Sequence, residues 1–313
     1  MNESFSLRNA RFNNRIFVAS GTFGYGDEVG ELVELDRLGG IMTKSLSLKP
    51  RDGNPPPRIT ETASGMLNSI GLANIGVHKF IEEKIPALAH HACAIIANVA
   101  ASTVEEYCEV LELLDPYKRV DGYEINVSCP NVKEGGLSFG TDPSKVALIT
   151  KELRKRTRKP LIVKLTPNVT HISEFARAAE AEGADAVSVI NTLIGMAVNI
   201  HTKKPKLSTV TGGLSGPAIK PVALAKVFEV YKSVKIPVFG IGGIATWEDA
   251  VEFFLVGASA VQVGTQNFVN PAIAVEIVKG VAEYCTHRSI DDISQLVGSL
   301  NADANVSVIQ SWL

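Results

Sequence analysis

Cysteine is scarce: the four present, Cys93, Cys108, Cys129 and Cys285, form no CxxC pair and no cluster with the six histidines. That spacing encodes neither a zinc site nor an iron–sulfur cluster. Long apolar runs are also missing. No segment reaches the roughly 18 to 20 apolar residues needed to span a bilayer, and the N-terminal MNESFSLRNARF lacks the apolar core of a signal peptide. The expected compartment is the cytoplasm, where the cysteines would be free thiols. Charge of one sign is not in excess either: 31 Lys and Arg against 33 Asp and Glu leave a formal charge of −2. A general polyanion-binding surface is therefore disfavoured, and a small-molecule ligand is expected. No G-x-G-x-x-G turn opens a helix near the N-terminus, which argues against a dinucleotide-binding fold.

What is present is rhythm. Short β-branched apolar runs alternate with amphipathic stretches along most of the 313 residues, the pattern of repeated βα units. Eight strands are predicted: RIFVAS (15–20), GIMTKSL (40–46), CAIIANVA (93–100), GYEINVS (122–128), PLIVKLT (160–166), AVSVIN (186–191), PVFGIGG (237–243) and AVQVG (260–264). Helices are predicted over 27–38, 76–90, 103–114, 142–157, 170–182, 217–233, 246–256 and 271–284. STVEEY, TDPSKV and ATWEDA carry helix-start signals. Eight units with near-continuous apolar strands predict an α/β fold, a closed (β/α)8 TIM barrel, ahead of an open α/β sheet. No linker divides the chain, so residues 1–313 read as a single domain, with a tail of uncertain role from about 286 to 313.

Three stretches, 47–75, 129–141 and 192–216, are too long for bare connections, and each follows the C-terminal end of a predicted strand. That is the face on which barrels build their sites. The strand ends themselves are polar: Ser20, Lys44, Ser45, Asn98, Asn126, Lys164, Asn191 and Thr192. One such residue serves solubility as well as function. Eight on one face, two of them lysines inside apolar runs (IMTKSL and LIVKLT), point to a ligand, because an unpaired buried ammonium is costly.

Glycine adds a second signal. FGIGGI (239–244) and VGTQ (263–266) follow strands seven and eight, and TGGLSGPA (211–218) precedes the helix between strands six and seven. Glycine pairs also serve tight turns, but loops in this register bind phosphate in barrels. Asparagines on strands three and four, with a lysine on strand five, suit a planar heterocycle that offers donors and acceptors. Flavin mononucleotide combines such a ring with one phosphate. Cys129, at the end of EINVSCPN (124–131), has a plainer reading as a small buried hydrophobe. KELRKRTRK (151–159) reads as the solvated face of an outer helix.

The motifs NVSCPN, NSIGLANIG (68–76), SGTFGYG (20–26), TKSLSLKPRDGNPPPR (43–58), VKLTPN (163–168), INTL (190–193) and GGLSGPAIKP (212–221) together resemble class 1 dihydroorotate dehydrogenases over about residues 5–285. The SGTFGYG opening is similar to the 1B subgroup. The resemblance implies FMN held by Ser20, Lys44, Ser45, Asn98, Asn126, Lys164 and Ile190 and by the glycine loops at Gly216, Gly242, Gly243, Gly264 and Thr265. It implies a substrate gripped by Lys44, by Asn68, Ser69, Ile70, Gly71 and Leu72, and by Asn126, Asn191 and Thr192. Cys129 falls on the catalytic base.

The implied activity is oxidation of dihydroorotate to orotate in pyrimidine biosynthesis, with Cys129 taking the C5 proton while hydride leaves C6 for the flavin. A homodimer would join a partner subunit carrying FAD and a 2Fe-2S cluster as a heterotetramer and pass electrons to NAD. The alternatives are a class 1A-like enzyme using fumarate, another FMN barrel such as a tRNA-dihydrouridine synthase, a non-redox phosphate-binding barrel, and a silent scaffold. The tRNA enzyme would need a basic stripe or an added helical domain, and neither is evident in the sequence.

Overall fold

In the computed structural model, residues 2–30, 32–127 and 139–301 are described. Eight parallel strands close into a barrel in sequential order: Ile16–Val18, Gly40–Met42, Ala94–Val99, Gly122–Asn126, Leu161–Leu165, Ala186–Val189, Val238–Ile241 and Ala260–Val263. All eight predicted strands are there, each shorter than predicted, and four of them, at 40, 122, 186 and 260, start where predicted and lose only C-terminal residues. Successive side chains alternate between the two faces of the wall, and two separate apolar clusters record that alternation. Ile41, Ile95, Tyr123, Val163, Val187 and Val261 belong to the large cluster beneath the helices. Phe17, Met42, Ile96, Ile162, Phe239 and Ala260 belong to a smaller one inside the barrel.

The inner cluster is closed from below by a feature with no sequence signal strong enough to predict it. Phe5–Leu7 and Ala10–Phe12 pair antiparallel ahead of the first barrel strand. The Phe5 and Phe12 rings lie 5.8 Å apart and meet Phe239 and Phe17 edge-on at 5.8 and 5.2 Å. The lower interior is thus a packed aromatic plug, which leaves only the upper end open for a site.

Around the wall, Val104–Leu114, Pro143–Arg154, Ile172–Ala181, Lys220–Tyr231, Trp247–Leu255 and Ile273–His287 form the predicted outer helices. Thr103, Asp142 and Thr246 cap three of them with side-chain oxygens, as the start signals lead one to expect. One predicted helix fails. Among the described residues of 27–38 there are only the short 3-10 turns Asp27–Val29 and Leu35–Arg37. There the Glu28 carboxylate folds back to accept the amides of Tyr25 and Gly26. The helix predicted over 76–90 is present as an unbroken helical run, but its middle is a π turn, Phe80–Lys84, between the α-helical turns Val77–Lys79 and Ile85–Ala87, with Pro86 withholding an amide from the regular ladder.

The basic run 151–159 is also more than a solvated face. Arg154 pairs with Asp185 at 2.7 Å, Arg156 with Glu112 at 2.9 Å and Lys155 with Glu152 at 2.6 Å. Its charge is largely answered within the chain.

The long connections are structured. Ile59–Thr62 and Gly65–Asn68 form a hairpin in the first, and Leu193–Met196 and Thr211–Ser215 form another in the third. The two hairpins join edge to edge through Leu67 opposite Leu214, making a four-stranded antiparallel sheet. Pairing lets irregular segments rise over the barrel without leaving backbone groups unsatisfied. Of the second connection, only Phe139–Thr141 lies among the described residues.

Past the last helix, Asn2 donates its backbone amide to the Asp291 carbonyl at 2.7 Å, and Ile293 and Leu296 are buried. Residues 288–301 therefore dock onto the body. Phe12 is 1% exposed at the centre of the plug. Truncation in Phe12→Ala should lower stability by about 3–5 kcal/mol, measured as a shift in the urea midpoint.

Candidate active site

Because side chains alternate, the residue two places beyond a buried inward-facing one emerges at the open end of the barrel. Met42 is followed by Lys44, Glu124 by Asn126, Ile162 by Lys164 and Gln262 by Gly264. These upper residues surround a cavity of about 450 Å3 between the barrel mouth and the four-stranded sheet.

Ser20, Lys44, Ser45, Asn126, Lys164, Ile190, Asn191 and Thr192 all line the cavity, as does the whole stretch Asn68–Leu72. The glycine loops reach it through Gly216, Gly242, Gly243, Gly264 and Thr265. Asn98 is set apart: it is fully buried one layer below and does not border the cavity. Its amide oxygen accepts the Ser45 hydroxyl at 2.6 Å, so it holds a wall residue instead. Cys129 lies outside the described residues.

Under the floor stands a carboxylate that the strand-end survey passed over. Glu124 is fully buried, and its Oε1 accepts from Ser188 Oγ at 2.8 Å and Gln262 Nε2 at 2.7 Å. Its Oε2 accepts from Asn98 Nδ2 at 2.6 Å and faces Lys164 Nζ at 3.7 Å. An acid two places before Asn126 in an otherwise apolar strand is the same signal that singles out the two lysines. It was available in the sequence.

The walls are braced as well. Tyr107 donates its hydroxyl to the Asn126 carbonyl at 2.8 Å. Asn191 Nδ2 approaches Asn126 Oδ1 at 3.4 Å, while the Asn191 oxygen accepts the Thr192 amide at 2.8 Å. Asn168 ties this edge to the sheet by donating to the Thr192 carbonyl and accepting the Ile194 amide, each at 3.0 Å. Asn168 also lines the cavity and is an addition to the predicted set. Lys44 is half-buried, and burial lowers its proton affinity below the usual lysine value, with Glu28 opposing. An ammonium held in that state favours an anionic neighbour.

The glycine side fits a phosphate. Gly243 has φ +75°, and a Cβ there would sit 2.7 Å from Lys220 Cβ, so the turn requires glycine. At Gly264, by contrast, a Cβ would meet only Ala19 Cβ at 3.6 Å and Thr22 Cγ2 at 3.9 Å, ordinary contact distances. Packing within the chain does not fill that space, and the cradle stays open to the cavity. Beside it Thr265 Oγ1 donates to Ser215 Oγ at 2.8 Å. Hydroxyls, glycine turns and short helical turns at one end, with amides and two ammonium groups at the other, match a phosphorylated, hydrogen-bonding ring.

Among the described residues no group of three or more His, Cys, Asp or Glu could hold a metal, and no helix is long and apolar enough to cross a membrane. Cys93, Cys108 and Cys285 are buried away from the cavity, and burial pushes the Cys93 thiol up to about 11. They have the character of inert core thiols.

A sequence model of the dihydroorotate dehydrogenase family matches residues 4–285. The chain is 51% identical over 303 residues to the dihydroorotate dehydrogenase B (NAD(+)) catalytic subunit of Thermoanaerobacter sp., covering 97% of this chain and 100% of that one. It is 53% identical over 297 residues to the protein of the same name from Trichlorobacter lovleyi, covering 95% and 98%. A crystal structure of DHODH from Eimeria tenella in complex with ferulenol superposes with a TM-score of 0.79 at 22% identity, covering 95% of this chain and 88% of that one. At that identity the likeness bears on the fold.

The Gly242–Gly243 turn rests on Lys220, which Asp249 holds at 2.6 Å. Burial works to raise the Asp249 carboxyl, but Lys220 and the amides of Ala245 and Thr246 outweigh it and hold it below the usual range. Its charge therefore stabilises the fold at neutral pH and stops doing so as the pH falls through the folded value. Asp249→Asn should cost about 1 kcal/mol at pH 7. The deficit should narrow below about pH 4, where an unfolded aspartate protonates, as read from urea midpoints across that range.

Proposed function

The chain belongs to the dihydroorotate dehydrogenase family, and on that premise we propose how its cavity works. The protein oxidises dihydroorotate to orotate in pyrimidine synthesis, as an NAD-dependent dihydroorotate dehydrogenase. The observation that carries the assignment of parts is one cavity lined both by the amides and ammonium groups of Lys44, Asn126, Lys164 and Asn191 and by the glycine turns after the seventh and eighth strands.

The group proposed for that cavity is flavin mononucleotide. Its phosphate would take the loops at Gly216, Gly242, Gly243, Gly264 and Thr265, and its ring would lie over Lys164 and Asn126 beside Ser20, Lys44, Ser45 and Ile190. When bound, it supplies the oxidant for the two electrons and the hydrogen that leave C6 of the substrate.

The remaining work belongs to the chain. Asn68, Asn126 and Asn191 present amides that can pair with both donor and acceptor edges of the substrate ring and hold it flat. Ser69 is fixed by Asn54 Nδ2 at 2.9 Å, so the Asn68–Leu72 stretch is a preset wall. Lys44 offsets the substrate carboxylate. Cys129, three residues after Asn126 in sequence, removes the C5 proton. A thiol has a reference pKa of about 8.5, so its thiolate fraction, and with it the oxidation rate, rises toward alkaline pH.

The partner is part of the same proposal. The relatives named above are called catalytic subunits, which favours a second subunit here too. A homodimer of this chain joined to a subunit carrying FAD and a 2Fe-2S cluster would pass electrons to NAD. The cytoplasm is the compartment that fits a reduced-thiol enzyme of this kind.

The purified chain should be yellow and should bleach on adding dihydroorotate without oxygen. Cys129→Ser should stay yellow and bleach about 100-fold slower or worse, the usual weight of a general base. Bleaching at the wild-type rate in stopped flow removes Cys129 from the role, and a colourless protein that takes up no FMN removes the whole assignment. NAD should reoxidise the protein only with the partner subunit present, whereas fumarate reoxidising the chain alone would replace that part of the proposal. Orotate affinity should fall at alkaline pH, beginning below the pH at which an ordinary lysine loses its proton. In Lys44→Met the alkaline fall should vanish, as followed by titration of the flavin spectrum.

A further inference from the structure

We propose that Glu124 is a positioning residue that fixes Lys164 beneath the bound flavin and offsets part of its charge, thereby holding the flavin's reduction potential down. The inference rests on the flavin assignment above.

Its basis is the set of contacts around one carboxylate. Three donors reach Glu124 from three other strands: Asn98, Ser188 and Gln262, at 2.6, 2.8 and 2.7 Å. Two of the three are held from turning away. The Asn98 oxygen is taken up by the Ser45 hydroxyl, and reversing the Gln262 amide would set its oxygen against the carboxylate. The oxygens of Glu124 are therefore fixed relative to the barrel wall, in a site with no exposure.

Lys164 is the one cation paired with Glu124 among the described residues, and the separation is 3.7 Å. That is an ion pair without a hydrogen bond. The carboxylate anchors the ammonium from behind while its N–H groups stay available to the cavity, which Lys164 lines and Glu124 does not.

Charge decides the consequence. A flavin ring becomes more negative on reduction, and an ammonium beside it favours the reduced form. A carboxylate directly behind that ammonium weakens its field at the ring, and burial leaves little solvent to screen the effect. A flavin held at lower potential gives its electrons up more readily to the next acceptor. The three neutral donors keep this balance from collapsing into a closed contact between Glu124 and Lys164.

The test is the two-electron potential of the purified yellow protein, measured by reductive titration against a reference dye. Glu124→Gln should favour the reduced flavin by about tenfold relative to the oxidised one, a rise of about 30 mV for a two-electron couple. In a Lys164→Gln background the same change should have a smaller effect, because only the carboxylate's direct field at the ring is then removed, and Glu124→Asp, which keeps the charge, should stay near the wild-type value.

An unmoved potential in Glu124→Gln, or a shift of undiminished size without Lys164, overturns the proposal. If Glu124→Gln does not fold or loses its flavin, Ser188→Ala decides. It strips one donor from the carboxylate, leaves more negative charge facing Lys164, and should lower the potential, whereas no change or a rise overturns the role. A wild-type protein that binds no FMN would overturn the cavity assignment and this inference together. Bleaching by dihydroorotate with unmoved potentials would overturn the role of Glu124 alone.

Discussion

A carboxylate buried inside a barrel is tolerable only if the wall turns donors toward it. Glu124 receives three hydrogen bonds and an ammonium from four different strands, and through Asn98 it reaches Ser45 beyond a fifth. Each of those side chains points inward because of the same period-two alternation that sends Ile125 and Val163 outward into the helix layer. The polar layer separates the barrel into two unlike halves. Below it lies an aromatic plug of Phe5, Phe12, Phe17 and Phe239. Above it lie the side chains that line the cavity.

That division accounts for how one wall serves both stability and function. The plug needs no ordered polar partner and carries the packing, so the upper layer can hold two ammonium groups and several amides without having to supply a core. The upper residues are in turn braced from outside: Tyr107 reaches the Asn126 carbonyl from a helix, and Asn168 joins the strand-six edge to the overlying sheet. A site assembled from rigid strand ends and paired loops loses little entropy when a ligand arrives.

The overlying sheet adds the roof. Its four strands come from connections far apart in sequence, Met66 pairing with Ser215 and Asn68 with Gly213. Neither hairpin alone would cover the cavity, and each edge left unpaired would expose a row of backbone donors and acceptors. Joined, they present Met66, Asn68, Ile194 and Thr211 to the cavity.

Local pattern was enough for the strands, because each apolar run of IMT, AIIANV, YEIN or LIVKL carries its own period and length. It was enough for the strand-end residues too, since a lysine or asparagine in such a run is conspicuous wherever the run folds. Local pattern failed where a partner decides the outcome. Residues 27–38 look helical by composition, yet Glu28 spends its carboxylate on the amides of Tyr25 and Gly26. The hairpins in 47–75 and 192–216 become strands only against each other. By itself the sequence determined that this chain is an eight-stranded barrel with a polar, glycine-rimmed mouth, because period and residue type are properties of neighbours along the chain. Only the tertiary structure decided that Asn98 lies under the floor and not in it, and that Glu124 ties the floor together. Depth and pairing across strands are set by barrel closure, which no single segment contains.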